Sequence, residues 1–199
     1  MGKNFGLGCL VAAIVGLLVS GIWAAGAYNR LNASEQGVNA GWAQVENVYQ
    51  RRADLVPNLV ETVKGAAAFE KSTLEAVVAA RASATQVRLD AASLRDPAAF
   101  AKFQQAQDGL SSALSRLLVT VEKYPELKAT QGFRDLQVQL EGTENRIAVE
   151  RGRFNESVQA YNTLRRSLPT VIVANIAGFK ERPYFQAAPG SEKAPAVKF

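Results

Sequence analysis

Hydrophobic positions divide the chain into one unbroken apolar run followed by long stretches in which apolar residues recur at helical spacing. Residues 5–28 carry no charge. After them Leu31, Val38, Trp42, Val45, Tyr49, Val56, Leu59, Val63, Leu74 and Val77 keep one phase. A second stretch repeats it with Phe103, Leu110, Leu117 and Tyr124, beside Ala106, Ala113 and Val121. The last is the most regular: Phe133, Leu140, Ile147, Phe154, Tyr161 and Leu168 fall at every seventh position, with Leu136 and Leu164 in the matching second phase. A seven-residue repeat sustained this long puts one stripe of a helix against other helices. Alternating runs of the kind that make strands are few.

The breaks between these stretches are legible. Residues 90–97 (DAASLRDP) form a polar turn, and Asp96-Pro97 opens a helix with proline in its first turn. Tyr124-Pro125 marks another boundary, because the residue before a proline disfavours the helical region, and Pro169 closes the last helix. Pro57 has two readings. The apolar phase runs through it, which favours a kinked continuous helix; the segment lengths favour a reversal, giving comparable rods over 28–54, 57–89, 97–123 and 126–168. With the reversal, the pattern predicts an all-α protein: an N-terminal transmembrane helix, then an antiparallel, up-and-down four-helix bundle. The expected divisions are a short tail at 1–4, the membrane helix at 5–28 and the bundle at 29–168. An apolar and aromatic segment packed on the bundle follows at 169–186, then a flexible tail at 187–199 rich in Ala, Pro and charge. For the segment beginning at Thr170, contact with a membrane surface is the competing reading.

The first run is long enough to cross a bilayer, which needs about 20 apolar residues, and Trp23 and Tyr28 suit one interface. A cleaved signal peptide is the rival, with Ala25-Gly26-Ala27 as its cleavage site. Against it, a signal's apolar core spans only roughly 7–15 residues. Gly8, Ala12, Gly16, Ser20 and Ala24 recur at every fourth position, a stripe of small residues that lets two membrane helices approach closely. The expected location is therefore the inner membrane, as a single-pass protein. The signal-like start favours an extracytoplasmic bundle, although Lys3 and Arg30 nearly balance the charge across the span.

Composition then removes most chemistry. The 199 residues include no histidine and one cysteine. A Ser–His–Asp triad, an imidazole zinc site and a Glu-x-x-His di-iron site are all excluded. The net charge of +5 suits an anionic membrane surface. Arg51-Arg52 and Arg165-Arg166 are isolated pairs rather than a nucleic-acid-binding stripe, and no glycine-rich phosphate loop is present. No cofactor, metal or nucleic-acid partner is expected, and no enzymatic activity. Carboxylates remain: Asp54, Glu61, Glu70, Glu75, Glu141, Glu144 and Glu150 are expected to pair between helices with Arg51, Arg52, Arg81, Arg146 and Arg153. Thr143, Glu150 and Ser157 share one heptad position of the last helix, forming a polar strip that would set register and partner choice.

Residues 51–65, RRADLVPNLVETVKG, resemble the signature of the LemA family of bacterial membrane proteins, carried here by Arg52, Asp54, Pro57, Asn58, Leu59 and Lys64. Tyr28-Asn29, Trp42, EAVVAARASA with Arg81, EKYPELKA, LEGTENRI with Arg151, Phe154-Asn155, Tyr161-Asn162, Gly178-Phe179 and Tyr184-Phe185 extend the resemblance in order over about residues 28–186. Two positions depart from it. Phe69 stands where the family commonly has histidine, and Gly41 where it has alanine. The resemblance implies a membrane-anchored helical bundle with no established enzyme activity, and partners such as TPM-domain proteins or membrane proteases. Two functions follow as expectations: a scaffold that associates with itself at the lipid bilayer as a homo-oligomer, or an adaptor presenting partners to a protease or transporter.

Overall fold

The computed structural model describes residues 2–65 and 69–187. Most of the expected flexible tail, from residue 188 onward, lies outside the described residues, as does Met1. Among the described residues the chain is all-helical. Its helices are α1 (Gly2–Lys64), α2 (Lys71–Gln86), α3 (Pro97–Val121), α4 (Pro125–Lys128), α5 (Gln131–Arg166) and α6 (Thr170–Ile176), with a single 3-10 turn at Ser93–Arg95.

The chief difference from the sequence expectation is at Pro57. The helix does not reverse there; α1 runs through it and ends only at Lys64, so the second rod is the shorter α2 and not 57–89. The reason is in the packing. Val56, Leu59, Val60 and Val63 continue the buried stripe on one side, while Pro57 itself is exposed. A proline inside a helix lacks the N–H that would bond the carbonyl four residues back, here Ala53. Arg81 of α2 replaces it, donating from Nε to the Ala53 carbonyl at 2.7 Å. The two residues are therefore one device, and their effects should couple. Arg81→Met is expected to cost about 1 kcal/mol in the native background and clearly less beside Pro57→Ala, as read from a double-mutant cycle of urea melts.

The interior is built along α1. All ten apolar positions of the first phase, Leu31 to Val77, are buried. So are Phe133, Leu140, Ile147, Phe154 and Tyr161 of α5, but the last member of that repeat, Leu168, is 83% exposed because α5 stops at Arg166. α1 lies along α5, and α2 along both α1 and α3. Asp96 caps α3 by accepting from the Ala98 N–H at 2.9 Å, with Pro97 in the first turn. Gly41 brings α1 close to α5; a methyl group there would sit 3.7 Å from the Phe154 Cα, ordinary contact that an alanine would also satisfy.

Two apolar clusters result. One gathers Leu31 to Tyr49, Phe100, Phe103 and Ile147 to Tyr161, and the C-terminal residues Phe179 and Phe185 join it. Trp42 is its hub, with ring centroids 5.1 Å from Phe103, 5.7 Å from Phe154, 5.9 Å from Phe100 and 6.2 Å from Phe185. The other gathers Val56 to Val63, Leu74, Val77, Leu110 to Val121, Phe133 and Leu140. A polar layer separates them.

Candidate functional site

That layer is centred on Arg52, 1% exposed, which occupies a seam position of α1 between Tyr49 and Val56. Its guanidinium donates to Ser111 Oγ at 2.6 Å, Glu144 Oε1 at 2.7 Å, Gln107 Oε1 at 2.7 Å and the Gln107 carbonyl at 3.1 Å. Gln107 in turn donates from Nε2 to the Ala84 carbonyl at 3.1 Å. One side chain therefore ties α1 to α3 and α5, and reaches α2 through the glutamine. The planar fork of arginine suits this multiplicity, which a lysine ammonium would not reproduce.

A second node lies nearer the apolar run. Arg182, also 1% exposed, donates to Glu35 Oε1 at 2.9 Å, and Arg95 reaches the same oxygen at 3.0 Å. Asn162 holds the Arg182 backbone from both sides, accepting from its N–H at 3.0 Å and donating to its carbonyl at 2.9 Å. Asn155, one heptad earlier on α5, does the same to Phe185, at 2.9 and 3.1 Å. Gln104 of α3 repeats the pairing at Gln186. Residues 179–186 are thus an extended strap in which amide side chains, rather than a sheet, pair the backbone of Arg182, Phe185 and Gln186. A third link joins Arg151 to Asp108 at 3.0 Å and to the Tyr49 hydroxyl, with its guanidinium 4.9 Å from the centre of the Phe185 ring.

Burial pushes the Tyr49 hydroxyl above its ordinary value, with the charge of Arg151 pulling the other way. The Tyr161 hydroxyl is raised by burial and then by the Glu35 carboxylate, and it donates to the Lys180 carbonyl at 2.8 Å. A hydrogen bond from Arg166 holds the Glu181 carboxyl below the usual range. Both tyrosines stay protonated through neutral pH and serve the strap and the core as neutral hydrogen-bonding groups.

The signature residues scatter around the Arg52 node. Leu59 is in the core, and Arg81 and Pro57 form the device at Ala53. Asp54, Asn58 and Lys64 are exposed: Asp54 accepts from Gln50, the Asn58 carbonyl accepts from Thr62, and Lys64 pairs with Glu61 at 2.7 Å. Of the polar strip, Thr143 is buried and donates to the Gln139 carbonyl, Glu150 pairs with Arg153 at 2.9 Å, and Ser157 donates to the Arg153 carbonyl. Each of these bonds stays within α5. Among the expected acid–base pairs, Glu144–Arg52 crosses between helices, whereas Glu150–Arg153 is local and Arg81 bonds a carbonyl instead. Gly8, Ala12, Gly16 and Ser20 lie exposed on α1, Ala24 is partly covered, and Ser20 donates to the Gly16 carbonyl. Arg182, Glu35, Gln107, Asn155 and Asn162 were not among the expected site residues. For Glu35 and Gln107 a signal existed, since both fall on apolar seams.

The α1 run is long and apolar enough to cross a membrane, and from Leu10 to Ile22 its side chains are exposed. Leu17 is 74% and Ile22 75% exposed. Burial begins at Ala27 and is complete at Leu31, in the same unbroken helix. The sequence profile of the LemA family matches residues 41–199. The magnetosome protein MamQ of Magnetospirillum gryphiswaldense is 30% identical over 199 aligned residues, covering 92% of this chain and 71% of the relative. Magnetosome protein MamQ 2 of Paramagnetospirillum magneticum is 28% identical over 181 residues, covering 83% of this chain and 66% of the relative.

Proposed function

We propose, from the premise that this chain belongs to the LemA family, that it is a non-enzymatic scaffold. In this reading α1 anchors it in the inner membrane, an up-and-down four-helix body stands on the extracytoplasmic side, and copies associate through the anchor. The observation that carries the reading is the continuity of α1 from an exposed apolar run into the centre of the body. A second observation supports it: the buried charged groups Arg52, Arg182 and Glu35 bond other elements of the same chain, which is the chemistry of a strut. That relatives are named as magnetosome proteins supports a role in an assembly.

The test is the mass of the full chain in detergent, measured by mass photometry. A large homo-oligomer is expected, and Gly16→Leu should shift it toward the monomer by closing the small-residue face. A monomer or small dimer of the native chain overturns the scaffold. Alkaline phosphatase fused after Phe199 tests the side of the membrane; it should be active, and an inactive fusion would place the body in the cytoplasm.

A further inference from the structure

α6 uses only one of its sides within the protein. Ala174 is fully buried in a cluster with Leu31 and Phe179, and Val173 packs at its edge. On the other side Ile172 and Ile176, one helical turn apart, are 55% and 84% exposed, and Leu168, just before Pro169, is 83% exposed. Leu168 and Ile176 are more exposed than the described large apolar side chains of the α1 run, of which Ile22, at 75%, is the barest.

The place of this face in the fold says what covers it. α6 packs against α1, and the chain just beyond it meets α1 at the end of the charge-free run. There Tyr28 sets the edge of its ring against Phe179, with centroids 5.5 Å apart. Ala24 and Ala27 lose exposure on the same stretch of α1. Cations surround the junction. Arg30 and Lys180 are exposed, Arg166 is exposed and paired with Glu181, and Arg165 donates to the Phe179 carbonyl. An apolar face bordered by cations, at the level where a membrane helix leaves its apolar run, matches the boundary between headgroups and acyl chains.

We propose that Leu168, Ile172 and Ile176 form a second membrane contact, inserted into the leaflet from which α1 emerges. The chain is then held to the bilayer by a span and a foot. This rests on reading α1 as a membrane span, and the experiment separates the two. Nitroxide labels are placed singly at Leu17→Cys, Ile172→Cys, Ile176→Cys and, as the water-facing reference, at Val119→Cys on the exposed side of α3, each in a Cys9→Ser background of the full chain. The protein is reconstituted in vesicles of phosphatidylethanolamine and phosphatidylglycerol, and collisions with oxygen are compared with collisions with a water-soluble nickel chelate.

Labels at 172 and 176 are expected to favour oxygen several-fold more than the label at 119, at a shallower depth than the label at 17. If 172 and 176 are as open to the chelate as 119 while 17 lies in lipid, the foot is overturned and the anchor stands. If 17 is also open to the chelate, the span and the foot fall together. Labels shielded from both reagents and dipolar-coupled between copies would mean that a second copy covers the face, which also overturns the proposal.

Discussion

Arg52→Ala is expected to lower the stability of the helical body by about 3 kcal/mol, read as the loss in a urea or thermal melt of the full chain in detergent. The ion pair with Glu144 is a minor part of that figure. Glu144 is 43% exposed, so water re-solvates it, and an ion pair of this exposure contributes little. The larger part is Gln107, 5% exposed, whose side-chain oxygen and carbonyl both accept from the guanidinium and would be left without that donor inside the protein. Glu144→Gln should accordingly cost well under half as much. Arg52 also has a buried Nε with no hydrogen-bond partner among the described residues. The node is thus imperfectly satisfied, and a matched apolar replacement, Arg52→Met with Gln107→Leu, should recover most of the stability lost in Arg52→Ala. If the double variant melts lower than the single one, the energetic account of the node is wrong.

Trp42→Ala is expected to cost about 4 kcal/mol, the range for a large aromatic removed from a core. Trp42 is 6% exposed and meets four phenylalanine rings drawn from α3, α5 and the strap. The distinctive part of the prediction concerns the strap. Phe185 lies nearly parallel to the indole, at an interplanar angle of 18°, so removing the indole removes a wall of its socket. Chymotrypsin should then cut after Phe185 markedly faster than in the native chain, where that residue is 7% exposed. Trp42→Phe keeps an aromatic wall and should protect the site. Equal cleavage rates in all three proteins would mean that the strap is held by its hydrogen bonds and ion pairs without help from Trp42.

How much of this could be read beforehand depended on what each residue does. Apolar seams were legible because burial repeats with the helix, and each apolar residue picked out between Leu31 and Val77 is in the core. At Pro57 the sequence leaves a kink and a reversal both open, because the compensation for a proline is tertiary: the donor to Ala53 comes from Arg81, 28 positions away. Arg52 was singled out as part of a signature, yet its seam position was the physical clue. A charge in an apolar stripe must find partners across the interface, and Glu35 and Gln107 obey the same logic. Asn155 and Asn162 lay beyond such reasoning. Their bonds are to backbone groups of a strap that has no periodicity, and nothing in the spacing of side chains announces where an extended segment will lie.

The absence of any break in α1 between Leu18 and Lys64 has a mechanical consequence. From Leu31 to Lys64 the helix extends about 50 Å, at roughly 1.5 Å per residue. With α1 read as a membrane span, it acts as a lever arm whose fulcrum is the bilayer. A membrane helix adapts to a thinner bilayer by tilting, and a tilt of about 10° sweeps the far end of an arm that long through roughly 9 Å. Without a swivel at residue 28, the thickness of the membrane is written into where the Lys64 end of the protein points.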